Sequence, residues 1–304
     1  MKSIVHCSLG VSGHVFATLL AVSSAIVLQA QVEPARATFR DRAEIIHSGT
    51  TAQSTASNPR PLEETILALS EEYGWQVDYE DPIYDPGSEI TDADDPETRA
   101  LHPDRPRIML PNGSAFRANY TEPTGSNREV SESRVLQSVV AAYNQTANPG
   151  RFFLENEPGG RVAVVGVSRV PGVTPETQRN AFLSTRISLP TAPRTLDATI
   201  QAILSAVTET ANIHAQIGSG PTPQFLQTIV TIGGSNVAAR DLLRESLDQS
   251  GRTWLWSMLF EPTYGTYYLN VLPVMAAVVD AKGARHLVSV DPQPEHPKGA
   301  ASHP

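Results

Sequence analysis

Apolar residues recur three and four positions apart in four segments of the chain, which predicts four amphipathic helices. The stripes comprise Leu62, Ile66, Leu69 and Tyr73 in the first segment, Val135, Val139, Val140 and Tyr143 in the second, Leu196, Ile200, Ile203, Leu204 and Val207 in the third, and Val237, Leu242, Leu243, Ser246 and Leu247 in the fourth. Gly74 and Gly251 follow the first and fourth stripes, and glycine suits a left-handed helix end. Ser235-Asn236 is the predicted N-terminal cap of the fourth helix.

Strand patterns follow each predicted helix. After the first helix, Trp75, Val77 and Tyr79 alternate with polar residues, which predicts a half-buried strand with Asp78 and Glu80 on its polar side. The other predicted strands span residues 152–154, 162–167, 185–189, 213–217, 228–232, 253–260, 266–271, 274–279 and 285–290. Amphipathic helices followed by strands bury their stripes against a sheet, so we expect an α+β fold of repeated small helix-plus-strands modules, with helices packed on one face of small sheets.

Composition divides the chain into five regions. Residues 1–30 are typical of a signal peptide, and residues 31–60, rich in Ser, Thr, Ala and Pro, are predicted to be a disordered linker. Residues 61–170 form a first predicted α+β module pair with an acidic loop at 78–97, and residues 178–290 form a second pair. A proline-rich tail, 291–304, is predicted to be disordered. Four single modules are the alternative to two compact pairs.

The first thirty residues indicate export. The apolar run from Val15 to Leu28 follows Lys2 and is too short to span a membrane, so we expect a secretory signal cleaved after Ala30. An uncleaved signal anchor is the alternative. The single cysteine, Cys7, lies in this signal, so the cleaved chain would have no thiol for a disulfide, a nucleophile or a thiolate metal site. The expected location is the periplasm or the exterior, with no membrane span after cleavage.

The charge balance limits the expected partners. The chain has a formal net charge of −9, and removal of the signal takes away one more basic residue, Lys2. An acidic surface repels phosphate groups, which argues against nucleic acid or an anionic membrane as a partner.

The segment Pro61-Leu-Glu-Glu-Thr-Ile-Leu-Ala-Leu-Ser-Glu-Glu-Tyr-Gly-Trp-Gln-Val-Asp-Tyr79 resembles the short N-terminal domain of secretins and TonB-dependent receptors. In that family a helix with Leu and Ala is followed by Gly and an alternating strand, and the segment from Val237 to Phe260 looks similar. The resemblance implies a periplasmic domain without catalysis that docks with partner proteins or relays a signal. Because the sequence ends in a polar tail after these modules, a soluble adaptor is expected rather than a pore.

Motifs for catalysis are weak in this sequence. The histidines are scattered singly without an HExxH pattern, and His214 is expected to face solvent. The sequences around Ser168 and Ser219 miss the spacing of a serine nucleophile elbow. The stretch Gly233–Asn236 precedes a helix and could offer backbone donors to an anion, but a turn and cap is the favoured interpretation.

Two further clusters admit a functional and a structural interpretation. Residues 78–97 contain nine carboxylates and no Lys or Arg, and a solvated acidic linker is favoured over a calcium site at Asp92, Asp94 and Asp95. Trp254 and Trp256 share one strand face, where core packing is favoured over stacking with a sugar or a partner. We therefore predict no catalytic, cofactor-binding or metal residues.

The leading hypothesis is an exported, non-enzymatic envelope protein that acts through contacts with partner proteins. The alternative is an exported hydrolase or glycan-binding protein whose site is assembled from distant residues, with two carboxylates, or a tryptophan and a carboxylate, in one pocket.

Overall fold

The computed structural model describes residues 43–123, 128–157, 160–167 and 181–291, all within one compact unit. The predicted signal peptide lies outside these residues, as does the predicted tail beyond Asp291. The helices are α1 (Pro61–Tyr73), α2 (Pro96–Leu101), α3 (Arg128–Asn144), α4 (Leu196–Ala211), α5 (Thr222–Gln227) and α6 (Ala239–Gln249). The strands are β1 (Glu44–Ser48), β2 (Thr51–Ala56), β3 (Val77–Glu80), β4 (Ile90–Asp92), β5 (Met109–Pro111), β6 (Phe116–Thr121), β7 (Phe152–Asn156), β8 (Val162–Gly166), β9 (Arg186–Thr195), β10 (Ala215–Ser219), β11 (Ile229–Ala238), β12 (Trp254–Glu261), β13 (Thr266–Pro273), β14 (Met275–Val279) and β15 (Arg285–Ser289). Helices combined with several small sheets confirm the α+β class.

One arrangement of seven elements occurs twice. The order β2-α1-β3-β6-α3-β7-β8, the first repeat, recurs as β9-α4-β10-β11-α6-β12-β13, the second repeat. In both, the first and third strands pair antiparallel, the second and fifth parallel, and the fourth and fifth antiparallel. The first repeat adds β1 at the edge of β2 and inserts β4-α2-β5, whereas the second inserts α5.

Each repeat builds its own core from three layers. In the second repeat, α4 contacts the two-stranded ribbon of β9 and β11 and also contacts β10 of the three-stranded sheet. Its core includes Ile200 and Leu204 of α4, Ile232 of the ribbon, and Trp256 of β12. The first repeat has an equivalent core with α1 and α3. The four predicted amphipathic helices are present as α1, α3, α4 and α6 and bury most of their predicted stripes, but Val237 of the fourth stripe lies in β11.

The two repeats join edge to edge in one six-stranded sheet. Its order is β10-β13-β12-β3-β8-β7, with β3 parallel to β12. Val77 and Tyr79 of β3 face the core of the first repeat, whereas Asp78 and Glu80 face α6 of the second. Because strand residues alternate in direction, the helices of the two repeats cover opposite faces of this sheet.

Both sides of β3 are therefore buried. Asp78 and Glu80 are fully buried, so the expectation that this strand has a polar, solvent-facing side is wrong. The reason is tertiary: the neighbouring repeat covers the second face, and local alternation carries no information about that cover.

Residues 44–56 form an antiparallel hairpin of β1 and β2. The prediction of a disordered linker at 31–60 is wrong for these residues. In β2, Ala52, Ser54 and Ala56 are buried beneath the helices, and small residues of this kind have too little apolar character to be recognised from composition.

The predicted C-terminal hairpin is present as β14 and β15, which pack on α1. At this contact Gly74 has a φ of 67°, and a β-carbon there would lie 3.0 Å from Cβ of Ala276. Gly74 therefore meets two requirements, since it ends α1 in a left-handed conformation and allows the hairpin to approach.

Candidate functional site

The first acidic residues of the 78–97 segment are bound to arginines of α6. Arg240 Nη2 lies 2.7 Å from Glu80 Oε2, and Arg244 contacts the carboxylate of Asp78. All four side chains are at least 96% buried. The prediction of a solvated acidic linker is wrong for these positions, where the carboxylates instead join the two repeats.

Strand β7 and the residue that follows it supply two more carboxylates to the same arginines. Arg240 contacts Glu155, and Arg244 Nε lies 3.3 Å from Glu157 Oε2. Arg244 also donates to the carbonyl of Trp254 at 3.1 Å. We name Asp78, Glu80, Glu155, Glu157, Arg240 and Arg244 the inter-repeat ion cluster.

Asp81 ties the end of β3 to β12. Arg60 Nε donates to its carboxylate at 2.7 Å, and the hydroxyls of Tyr79 and Tyr84 donate at 2.9 and 2.7 Å. The backbone N–H of Phe260 donates at 3.0 Å. With four donors on one buried carboxylate, the hydrogen-bonding capacity of Asp81 is used for structure.

Burial controls the protonation of the ion cluster. It raises the pKa of Glu157 to about 7, against the opposing charges of Arg240 and Arg161. Burial also raises the pKa of Glu80, although Arg240 opposes this shift. Burial lowers the pKa of Arg244 to about 10, which leaves this guanidinium charged at neutral pH.

The three carboxylates considered for calcium have other partners. Arg99 Nη2 lies 2.8 Å from Asp92 and 2.6 Å from Asp94, and Asp95 caps α2 by accepting from the N–H groups of Glu97 and Thr98. In the described part of the chain, no group of three or more His, Cys, Asp or Glu side chains is arranged to hold a metal ion.

The histidines are dispersed in the structure as in the sequence. His47 contacts Glu122 and lies 3.4 Å from Glu72, and other atoms of these carboxylates are bound by Tyr73 and Arg285. The side chains of His102, His214 and His286 are exposed, as expected for His214. His296, His303 and Ser168 lie outside the described residues.

All three tryptophans belong to the core. Trp75 and Trp254 are 2% exposed and Trp256 is fully buried, which confirms core packing and removes these rings as a sugar-stacking surface. Tyr267 is buried as well, whereas Tyr264 is 66% exposed in the turn between β12 and β13.

Residues Gly233 to Asn236 belong to β11, so the predicted cap of α6 at Ser235-Asn236 is wrong. Ala238 occupies the cap position, and no side chain bonds there. A β-carbon at Gly233 would lie 2.3 Å from the backbone nitrogen of Thr191. The glycine thus allows β9 and β11 to approach, which is a tertiary requirement and not a helix signal.

The surface cavities lined by described residues include the following two. One, of about 440 Å³, is lined by residues 101–105. The other, of about 420 Å³, lies between α3 and the turn of β7 and β8, and its lining includes Ser133, Gln137 and Asn156. Neither lining has two carboxylates or a tryptophan. Among the described residues, no helix is both long enough and apolar enough to cross a membrane.

The six-stranded sheet ends at β7 and β10, and no described strand pairs with their outer edges. On β7, the backbone N–H and C=O of Phe152 are bound by the side chain of Asn144, at 3.0 and 2.7 Å. Backbone groups alternate in direction along a strand, so those of Leu154 point to the same outer side. Phe153, between them, is 40% exposed. We call the unpaired sides of β7 and β10 the outer edges.

The two-stranded ribbon of the second repeat is less able to pair with a further strand than β7 and β10 are. Thr231 of β11 bonds Gln249 of α6 through both its N–H and its C=O, so these groups point away from β9. Pro193, paired opposite Thr231, therefore faces the free side of β9 and offers no N–H there. A proline at such a position discourages the addition of a strand.

The described residues form a tandem of two β-α-β-β-α-β-β repeats joined by a buried ion cluster, and no described strand covers the two ends of their six-stranded sheet. Comparison with family models, curated proteins and solved structures gives no match to this chain.

Proposed function

We propose that this chain is an exported, non-enzymatic protein of the cell envelope that acts through protein–protein contacts at its outer edges. The observation that carries the proposal is the pair of open strands, β7 and β10, that end the six-stranded sheet. An open strand offers backbone donors and acceptors to a partner strand, and neighbouring side chains give that contact its specificity.

The chemistry of the ionisable groups supports a binding role. Glu80 and Asp81, within the most acidic segment of the chain, are buried and bound by Arg240 and Arg60. A carboxylate whose oxygens are bound by arginine in a closed interior is a poor acid or base for an external substrate.

Export is supported by the sequence of residues 1–30, and a non-enzymatic role is supported by the resemblance of Pro61–Tyr79 and Val237–Phe260 to the secretin and TonB short N-terminal domains. Periplasmic partners are therefore proposed, with neutral or basic contact surfaces because the chain is acidic.

Site-specific photo-cross-linking tests this proposal in living cells. A photoreactive phenylalanine analogue replaces Phe153 on β7 or Gln216 on β10, and the matched control replaces Ile46, which is 50% exposed on β1. We expect the tagged protein to fractionate with exported proteins and to capture envelope proteins from positions 153 and 216 only. Fractionation with a cytoplasmic marker, or equal capture from position 46, would contradict the proposal.

A further inference from the structure

We propose that the partner at the outer edges is a second copy of this chain, with β10 of one copy pairing in parallel with β7 of the next. This inference rests on the proposed function of these edges as contact sites. The chain itself contains a contact of this kind, because β3 of the first repeat pairs in parallel with β12 of the second. We call this contact between β3 and β12 the template interface.

The template interface has a defined register. Tyr79 lies opposite Ser257 and Glu80 opposite Met258. The N–H of Asp81 donates to the carbonyl of Met258 at 2.8 Å, which extends the pairing by one residue.

Equivalent positions of β10 and β3 follow from the repeat. Gly74 and Asn212 both end the preceding helix in the left-handed conformation. Counting from these residues, Tyr79 corresponds to Ile217. The pairing of β3 with β8 and of β10 with β13 gives the same correspondence.

Equivalent positions of β7 and β12 follow from their pairing with the fifth strand of each repeat. Phe153 pairs with Val165, and Ser257 pairs with Asn270. These two partners occupy equivalent places in β8 and β13, so Phe153 corresponds to Ser257. Transfer of the template register therefore places Phe153 of one copy opposite Ile217 of the next.

Strand direction permits this pairing. Strand β7 is antiparallel to β8, β8 is parallel to β3, and β3 is parallel to β12. Strand β12 is antiparallel to β13, which is parallel to β10. Strands β7 and β10 consequently run in the same direction, and a second copy shifted along the sheet meets the first with its strands parallel, as β3 meets β12.

Both the helix side and the strand side of the contact change from charged residues in the template interface to neutral residues at the outer edges. The buried positions of α6 and α3 align so that Arg240 and Arg244 correspond to Ser133 and Gln137. On the strand side, Asp78 and Glu80 correspond to the exposed residues Gln216 and Gly218 of β10. At these positions the ionic contact between the repeats is replaced by neutral polar groups between copies, so none of the four leaves a buried charge without a partner. The cavity beside Ser133 and Gln137 leaves room for the incoming strand.

An exposed aromatic residue marks the same edge. Phe153 is 40% exposed, whereas its equivalent in the template, Ser257, is 3% exposed. A docked copy would cover Phe153, and burial of aromatic surface favours association.

The contact joins two different surfaces, so it does not close after two copies. Such heterologous contacts produce rings or open filaments. We therefore expect the mass to rise with concentration beyond that of a dimer.

Sedimentation velocity of the full exported protein over a range of concentrations tests the inference. Phe153→Lys places a charge on the edge of β7, and we expect the dissociation constant to rise at least tenfold. Ile46→Lys, on the separate β1-β2-β6 sheet, is the matched control and should leave association unchanged. Equal thermal unfolding of the two variants shows that both are folded. A wild-type protein that stays monomeric, or equal weakening by both substitutions, overturns the inference.

Different results would contradict the proposed function and the proposed self-association. Capture of other envelope proteins from position 153 by a strictly monomeric chain would overturn this inference and support the proposed function. Self-association through position 153 without capture of any other protein would support this inference and overturn the proposed role in contacting envelope partners.

Discussion

Arg240 and Glu80 form a 2.7 Å ion pair across the boundary between the two repeats, and both side chains are at least 96% buried. They are separated by 160 positions in the sequence. Because Glu80 sits on the face of β3 opposite to its own core, the pair requires α6 to lie over the first repeat. The Arg240–Glu80 ion pair therefore fixes the position of α6, and with it the second repeat, against the first repeat.

We expect Arg240→Met to lower the free energy of unfolding by about 3–5 kcal/mol, because Glu80 is left buried without its ion-pair partner. The double variant Glu80→Gln with Arg240→Met should recover a large part of that loss, since neither unpaired charge remains. Urea unfolding of the two single variants and the double variant measures the coupling. Additive losses would contradict the pairing.

A matched control is available near the same helix. Arg161 and Asp248 form a 2.8 Å pair, but the Asp248 side chain is 44% exposed. We expect Arg161→Met to cost less than about 1 kcal/mol, because solvent screens an exposed pair.

The stability of the ion cluster should depend on pH through Glu157. Burial raises its pKa in the folded state from 4.5 to about 7, so Glu157 contributes stability below pH 4.5 that is lost as the pH rises through about 7. The shift corresponds to a contribution of up to about 3 kcal/mol. The charged groups around Glu157 are Arg161, Arg240, Arg244, Glu155 and Asp241.

Comparison with Glu157→Gln isolates this effect. The variant keeps the shape of the side chain and does not titrate. From pH 4.5 to pH 8, we expect wild-type stability to fall relative to that of the variant, as measured by chemical unfolding at each pH. A constant difference between the two proteins across this range would contradict the assignment.

Gly233→Ala should destabilise the second repeat by about 2–4 kcal/mol, because the new methyl group would meet the backbone of Thr191 and force β9 and β11 apart. Gly283→Ala serves as the control. Gly283 has a φ of 81° with open space around it, so only the left-handed conformation is penalised, at about 1–2 kcal/mol. Thermal unfolding of both variants gives the comparison, and equal losses would show that the close approach is unimportant.

Substitutions can restore, at the contact between copies, the ion pair that joins the two repeats. We expect a chain with Gln137→Arg, mixed with a chain with Gln216→Asp, to associate more tightly than either variant alone, because the pair would reproduce Arg244 and Asp78. Sedimentation of the mixture and of each separate variant measures this difference. No gain in the mixture would contradict the proposed equivalence of α3 with α6.

The sequence reveals the elements whose burial follows a simple period. The stripes through Leu69 and Leu204 predict α1 and α4, because an amphipathic helix carries its own signal. Strand β6 was missed, although Phe116, Ala118 and Tyr120 alternate with exposed residues and could have indicated it. The weak apolar character of β2 left no comparable signal.

The candidate site could not be predicted in the same way. Asp78 and Glu80 were recognised as part of an acidic segment, but their partners lie on a helix far along the chain. Likewise, the open edges depend on which strands become neighbours in space. The duplication is visible only in part from the sequence, because β2 belongs to the first repeat without a strong hydrophobic pattern.

Disulfide cross-linking between copies tests whether β7 of one copy pairs with β10 of the next. A chain with Phe153→Cys is mixed with a chain with Ile217→Cys, each lacking other thiols, under mild oxidation. Adjacent strands lie about 4.8 Å apart, which brings facing cysteines within disulfide range. We expect rapid formation of a mixed dimer from this pair and none when Ile46→Cys replaces Phe153→Cys. Cross-linking that is equally fast from position 46, or absent from position 153, would contradict this pairing.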